Sequence, residues 1–334
     1  MKTRWFRLGL VAAVAGLTLS AGAAAAADFT FRFAHILKTD TPAHRAAERM
    51  AELVAERSNG RIEINIHPAG ELGTDTEIIE QIQFNSVQIG FPPTAVLGQF
   101  EPRMQLLDLP FIFPTPEDAY TVLDGEIGQE LLASLEDKGF KGLVYWESGF
   151  KQMTSNKRPI LELADLGGMA VRTMDSPLLV QQYRTWGANP LPISFAETYT
   201  ALQQGVADAQ ENPLVSIYQM RFFEVQDHLT LSNHAYLGYA LIMNKDAWDG
   251  LPEDLQEVVA TAAQEARDWQ REESRRFDEE LLGKLGETGI EIHQLPDEGR
   301  QKFIEASRSV HEAFADVVTP ELLQRVYEAT GRDG

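Results

Sequence analysis

Phe29, Phe31 and Phe33 alternate with polar or small residues, and Ile62, Ile64 and Ile66 do the same, the two-residue period of a half-buried strand. Between them Thr41-Pro42 opens a helix expected to run to Asn59-Gly60, so the chain begins with a strand-helix-strand unit. Ile78, Ile79 and Ile82 recur at helical spacing across Asp75 to Asn85, and Val87 to Phe91 reads as a buried strand. Strand-like pieces at Leu143 to Trp146, Met169 to Thr173 and Leu191 to Ser194 continue the alternation. This predicts mixed α/β architecture rather than an all-β sandwich or a helical bundle.

The stretch from Arg172 to Pro213 combines several of these signals. Arg172 ends a short strand after the Gly167-Gly168 turn, where side chains project into the crevice of an open α/β sheet. Ser176-Pro177 caps a helix that continues to Trp186 and stops at Gly187. A second helix is expected to start at Ser194, with Ser194 and Glu197 forming a capping box and Gly205 marking the exit. Ala207 to Glu211 then re-enters the sheet and delivers Asn212 to the same crevice.

From Pro252 to about Leu285 the chain runs 34 positions with no Gly before Gly283 and no Pro after the start. As one helix it would span roughly 50 Å at ~1.5 Å per residue. Its charges mostly have opposite-sign neighbours three or four residues away, as a solvated helical face requires.

The N-terminus follows a different logic. Residues 1–27 hold Lys2, Arg4 and Arg7, an apolar stretch from Leu8 to about Leu19 and a small-residue run ending Ala25-Ala26-Ala27. This is the pattern of a secretory signal peptide cut near Ala27, and its apolar part falls short of the roughly 20 residues of a spanning helix. Its removal leaves about 307 residues, more than one compact core usually holds, so two lobes are expected. The 29 basic residues fall to 26 against 50 acidic ones, a net charge of −24 that disfavours nucleic acid and anionic lipid. Composition leaves open whether the acidity reflects a saline habitat or solubility.

Catalytic signatures are mostly missing. The chain has no cysteine, no Gly-x-Ser-x-Gly elbow, no Walker-type phosphate loop and no His-Glu-x-x-His pair. His35, His44, His67, His228, His234, His293 and His311 show no close ligand spacing, so neither a metal nor a cofactor is expected. A periplasmic enzyme acting on an organic acid is the competing class, and no general base for it is identifiable.

Three segments, the Arg172 strand, SFAETYTALQQGVADAQENP from Ser194 to Pro213 and GFKQMTSNKRPI from Gly149 to Ile160, resemble the solute-binding proteins of tripartite ATP-independent periplasmic (TRAP) transporters, the DctP-like family. FRFAH at Phe31, GELG at Gly70, LLDLPFIF at Leu106, FFEVQDHLTLSNH at Phe222 and NKDAWDGLPED at Asn244 fit the same pattern, so the resemblance covers essentially the whole mature chain. It implies a two-lobed periplasmic binding protein fold that closes on its ligand, with the long helix as a strut. The expected division is 28–149 plus 238–277 for lobe I and 150–237 plus 278–334 for lobe II. It further implies a monomer that hands a small carboxylate to small and large membrane subunits, driven by an ion gradient rather than ATP.

In that family the arginine at the position of Arg172 clamps the ligand carboxylate, as suits a planar fork that pairs bidentately. Lys151 resembles the lysine-bearing version of its segment in C4-dicarboxylate binders and would meet a second anionic group or a hydroxyl. Asn212, able to donate and accept, Phe195 as an aromatic against the ligand, and His35 at the end of the first strand complete the candidates. Each also has a plainer reading: a surface salt bridge for Arg172, a solvated lysine, a helix cap for Asn212, a core aromatic and a structural histidine. Pro92-Pro93-Thr94 stands where some sialic-acid binders carry an acidic residue, which argues against an amino-sugar acid. RTMDSPLL also resembles the ectoine-binding branch. Dicarboxylate, favoured here, sugar acid and zwitterion stay open.

Overall fold

The computed structural model describes residues 26–332, so nearly all of the expected signal peptide lies outside the described residues. Two sheets organise the chain. The first joins β1 (Phe29–Ala34), β2 (Ile62–His67), β3 (Ile89–Gly90), β4 (Phe140–Phe150) and, from much later in sequence, β10 (Tyr236–Asn244), in the order β2-β1-β3-β10-β4. The second joins β5 (Gln152–Ser155), β6 (Ala170–Thr173), β7 (Asn189–Pro192), β8 (Ala209–Asn212), β9 (His228–Leu231) and β11 (Glu291–Gln294), in the order β11-β9-β5-β8-β6-β7. Both sheets mix parallel and antiparallel neighbours.

The opening unit forms as its periodicity implies: Phe29 to Ala34 pair in parallel with Ile62 to His67, and helix Pro42–Arg57 returns across the sheet with Thr41 as its cap. The strand expected over Val87 to Phe91 shrinks to Ile89–Gly90. At one end the Val87 amide closes the preceding helix by donating to Gln81, and at the other Pro92 and Pro93 have no N–H to extend the ladder.

The long helix runs Glu253–Gly286 without interruption. Leu255, Val259, Ala262, Ala263 and Ala266 sink into the apolar core around the first sheet, whereas Leu281 and Leu285 join a cluster with Leu202, Ile217 and Leu229 of the second lobe. It is therefore a strut shared by both lobes.

Its middle solves a specific problem. Strand β4 lies at the edge of the first sheet, and an unpaired buried edge must find partners. Gln270 supplies them: its Oε1 accepts from the Glu147 amide at 3.1 Å and its Nε2 donates to the Glu147 carbonyl at 2.7 Å. The next residue, Arg271, forks onto Asp124 at 2.6 and 3.0 Å with its guanidinium 4.2 Å from the Tyr120 ring centroid.

The stretch 278–334, expected wholly in lobe II, divides. Strand β11 joins the second sheet, but Val310, Phe314, Val318, Leu322 and Val326 belong to the larger core, and helix Pro320–Thr330 packs on Pro116–Asp124 and Glu126–Ser134. Helix Asp297–Val318 is shared, since its Phe303 lies in the second-lobe cluster with Trp186 while Val310, Phe314 and Val318 face the larger core.

Gln270→Ala removes both partners of the Glu147 backbone. With each of the two stranded buried groups costing about 1 to 3 kcal/mol, the variant should lose about 2 to 6 kcal/mol in urea unfolding. An unchanged midpoint would show that the helix does not complete the edge of the sheet.

Candidate functional site

Between the sheets lies a cavity of about 610 Å³. Its first-lobe wall is built by the Gly70-Glu71-Leu72-Gly73 turn and the start of helix Asp75–Gln83. Thr74 and Glu77 form a reciprocal capping box, with the Thr74 amide donating to Glu77 at 2.8 Å. Gly73 has φ +124°, and a Cβ there would fall 2.7 Å from the capping carboxylate, so only glycine fits the turn. The box fixes the first helical residue, Asp75, as a lining carboxylate.

The opposite wall carries Arg172. It is 1% exposed, and its Nε donates to the Ile193 carbonyl at 2.9 Å. Among the described residues no hydrogen bond engages its two terminal nitrogens, and the residue lines the cavity. Desolvation pulls the guanidinium down to about 10, opposed by the charges of Glu211 and Asp75. Desolvation likewise pushes Asp75 up to about 7 despite the neighbouring Arg172. Each group is thus less well solvated than its charge requires, and a ligand that neutralises either relieves the cost.

Phe195 also lines the cavity, but the helix expected from Ser194 begins only at Thr198. Ser194 Oγ donates to the Glu197 carboxylate at 2.6 Å instead of accepting a backbone amide, so no reciprocal box forms. The resulting turn exposes Ile193, Ser194, Phe195 and Ala196 to the cavity. Ser176, by contrast, caps helix Pro177–Thr185 as expected. Asn212 ends β8 and faces a small adjoining recess shared with Ile36, Asp75, Met174 and Phe195. It does not cap the following helix, whose first-turn amides receive no side-chain bond.

Lys151 and His35 do not reach the cavity. Lys151 is fully buried, 2.9 Å from Glu211 and 3.8 Å from Asp108. Glu211 also accepts from Tyr183 at 2.9 Å and from His234 at 2.7 Å. Burial alone would raise the Glu211 carboxylate, but the Lys151 charge and the His234 hydrogen bond hold it well below the usual range. Lys151 is therefore committed to a structural cluster. His35 accepts the Leu37 amide on Nδ1 at 3.2 Å, which leaves Nε2 to donate to His44 Nδ1 at 3.0 Å. Stacked on Phe91 and desolvated down to about 3, it is a neutral structural histidine.

Two lining groups escaped the sequence reading. Asp75 carries only a helix-start signal, Thr74-x-x-Glu77, in sequence. Lys38, from the loop after β1, donates to the Gln219 carbonyl of the other lobe at 2.5 Å and forms a cationic rim.

The model of the DctP family, bacterial extracellular solute-binding protein family 7, matches residues 33–316. The chain belongs to the DctP family. The C4-dicarboxylate-binding periplasmic protein DctP of Rhodobacter capsulatus is 35% identical, over 97% of this chain and 98% of that protein. Among solved structures, a TRAP periplasmic solute-binding protein from Sulfurospirillum deleyianum with bound succinate is 38% identical, with a TM-score of 0.86 over 91% of this chain and 99% of that one. The sugar acid binding protein DctPAm from Advenella mimigardefordensis, in complex with galactonate, is 34% identical, with a TM-score of 0.88 over 90% and 97% of the two chains. The interlobe cavity of this DctP-family protein thus combines a desolvated guanidinium, a carboxylate and an aromatic wall.

Because Lys151 is a partner of Glu211 and not of a ligand, Lys151→Met should act on the fold. Breaking a buried pair from one side typically costs about 3 to 5 kcal/mol, so the ligand-free variant should show a correspondingly earlier denaturant midpoint. Wild-type stability together with selective loss of dicarboxylate binding would return Lys151 to the ligand.

Proposed function

We propose that this protein is the extracytoplasmic solute-binding subunit of a TRAP transporter, exported with cleavage near Ala27 to the periplasm that its relatives' names specify. As a monomer it captures a small organic acid and delivers it, unreacted, to the small and large membrane subunits. Arg172 carries this reading: a guanidinium sunk in the wall of the interlobe cavity, with its fork free of protein carboxylates at bonding distance, is matched to a ligand carboxylate.

The cavity also bears on the class of acid. With Lys151 occupied, the deep charged groups are Arg172 and Asp75, one cation and one carboxylate. Asp75 accepts hydroxyl hydrogens well and repels a second carboxylate, and Asn212 adds a donor and an acceptor in the recess. A hydroxylated monocarboxylate of the sugar-acid class fits this set best, in line with the galactonate-bound relative. A C4-dicarboxylate is the second reading, supported by Lys38 at the rim and by the succinate-bound relative.

Calorimetry separates these statements. Wild-type protein should bind one acid with micromolar or tighter affinity, about −8 kcal/mol or better, and release it chemically unchanged. Arg172→Ala should cost about 2 to 5 kcal/mol of binding for every acid, and Arg172→Lys should recover only part because it lacks the fork. Asp75→Asn should weaken galactonate far more than succinate. Near-wild-type binding by a well-folded Arg172→Ala protein would move the site elsewhere, and tighter succinate binding than galactonate binding by the wild type would reverse the ligand class.

A ligand held by both walls stabilises whichever lobe arrangement brings them together, so binding should close the cleft. Small-angle scattering should give the mass of one chain and a smaller radius of gyration at saturation. An unchanged profile would mean a rigid pocket.

A further inference from the structure

Far from the cleft, at the edge of the second sheet, β11 pairs in parallel with β9 so that Glu291 lies beside His228 and His293 beside Thr230. Leu229 and Ile292 turn into the apolar cluster under the long helix. The two-residue period of a strand then places His228, Glu291 and His293 together on the other face. Nδ1 of His228 lies 3.3 Å from Nε2 of His293 and 3.4 Å from Oε2 of Glu291, which is 3.7 Å from that same Nε2. A tetrahedral ion with bonds of about 2.0 to 2.1 Å separates its ligand atoms by about 3.3 to 3.4 Å, so the three atoms already stand close to three corners of such a site.

We propose that His228, Glu291 and His293 bind a divalent transition-metal ion of the zinc class, with the fourth position open to water. Two imidazole nitrogens and a carboxylate suit zinc and its first-row neighbours, whereas calcium and magnesium demand oxygen ligands. The histidines are 17% and 24% exposed and the glutamate 67%, so an ion can enter from solvent without disturbing the core. Among the described residues no other trio of such side chains converges. The ion would clasp the edge strand that follows the long helix to its neighbour, and it is independent of the solute site. The separation of 65 positions between the two histidines hides the arrangement from any spacing motif.

Titration of untagged protein with zinc chloride tests the site. One saturable ion per chain is expected, weakened at least about tenfold by His228→Gln, by Glu291→Gln or by His293→Gln, since even outer partners of metal ligands contribute that much. Cobalt(II) should give the visible absorption of a four-coordinate ion, absent from the double histidine variant. Absence of saturable zinc uptake, or unchanged uptake by a double variant with wild-type circular dichroism, would overturn the assignment. If that variant does not fold, wild-type affinity in the exposed Glu291→Gln variant would overturn it equally.

Discussion

The ion pair between Lys151 and Glu211 is the constraint on which the geometry of the cleft depends. The chain passes from the first sheet to the second between Phe150 and Gln152, and it returns between Leu231 and Tyr236. Lys151 stands at the first passage, its amide donating to the Ala235 carbonyl of the second at 2.8 Å. Its ammonium lies between Asp108, from the first-lobe side, and Glu211 on β8. Removing these charges from water is costly, and only the converging donors of Lys151, Tyr183 and His234 make the Glu211 carboxylate tolerable there. Any slip of β5 against β8 would strand them. The register Gln152 to Asn212 is thereby fixed, and with it the position of Asn212. Strand β6 pairs with β8 so that Arg172 stands beside Gln210, the residue next to the anchored glutamate. The cluster holds in register the cavity wall that carries Arg172.

This division of labour also explains how a chain of net charge −21 can recognise an anion. Long-range repulsion is screened over roughly 8 Å at physiological salt, so selectivity is decided inside the cleft. There the protein keeps one cation desolvated at Arg172 and neutralises the other, Lys151, within its own structure. Desolvation strengthens each interaction that a carboxylate makes with the guanidinium, and the nearby Asp75 limits how much negative charge the ligand can bring. If the solute binds between them as proposed, the two groups together set charge selectivity.

How much of this was legible in the sequence depends on range. Periodicity over a few residues revealed β1, β2 and the helix between them, and the absence of breakers between Pro252 and Gly283 revealed the strut. Arg172 and Phe195 were placed in the cavity wall by a local strand and by family resemblance. The ion-pair partner of Lys151 was not legible because it lies 60 residues away and nothing local distinguishes a paired lysine from a free one. The pairing of His35 was not legible because its partner His44 sits on the next helix, where apolar spacing dominates the pattern. The capping box at Ser194 failed on a competition that sequence cannot rank, since the serine hydroxyl bonds the carboxylate directly. Asp75 was invisible as a ligand group because a carboxylate in the first turn of a helix is ordinary.

The long helix completes the mechanical picture. Gln270 and Arg271 lock its middle to β4 and to Asp124, and Leu281 and Leu285 lock its end into the second lobe. Between Ser274 and Leu281 no residue is fully buried, and none is Gly or Pro. That stretch alone spans the two anchored regions. A helix with an unbroken hydrogen-bond ladder bends gently rather than breaking, so a rotation of one lobe against the other is absorbed there as elastic curvature. The strand passages at Lys151 and at Ser232 to Ala235, where the sheets are joined covalently and by the Lys151 pair, would be the axis of such a rotation. If the lobes close on the solute as proposed, the helix acts as a spring set against that hinge, and contacts of the solute with both walls supply the free energy that bends it.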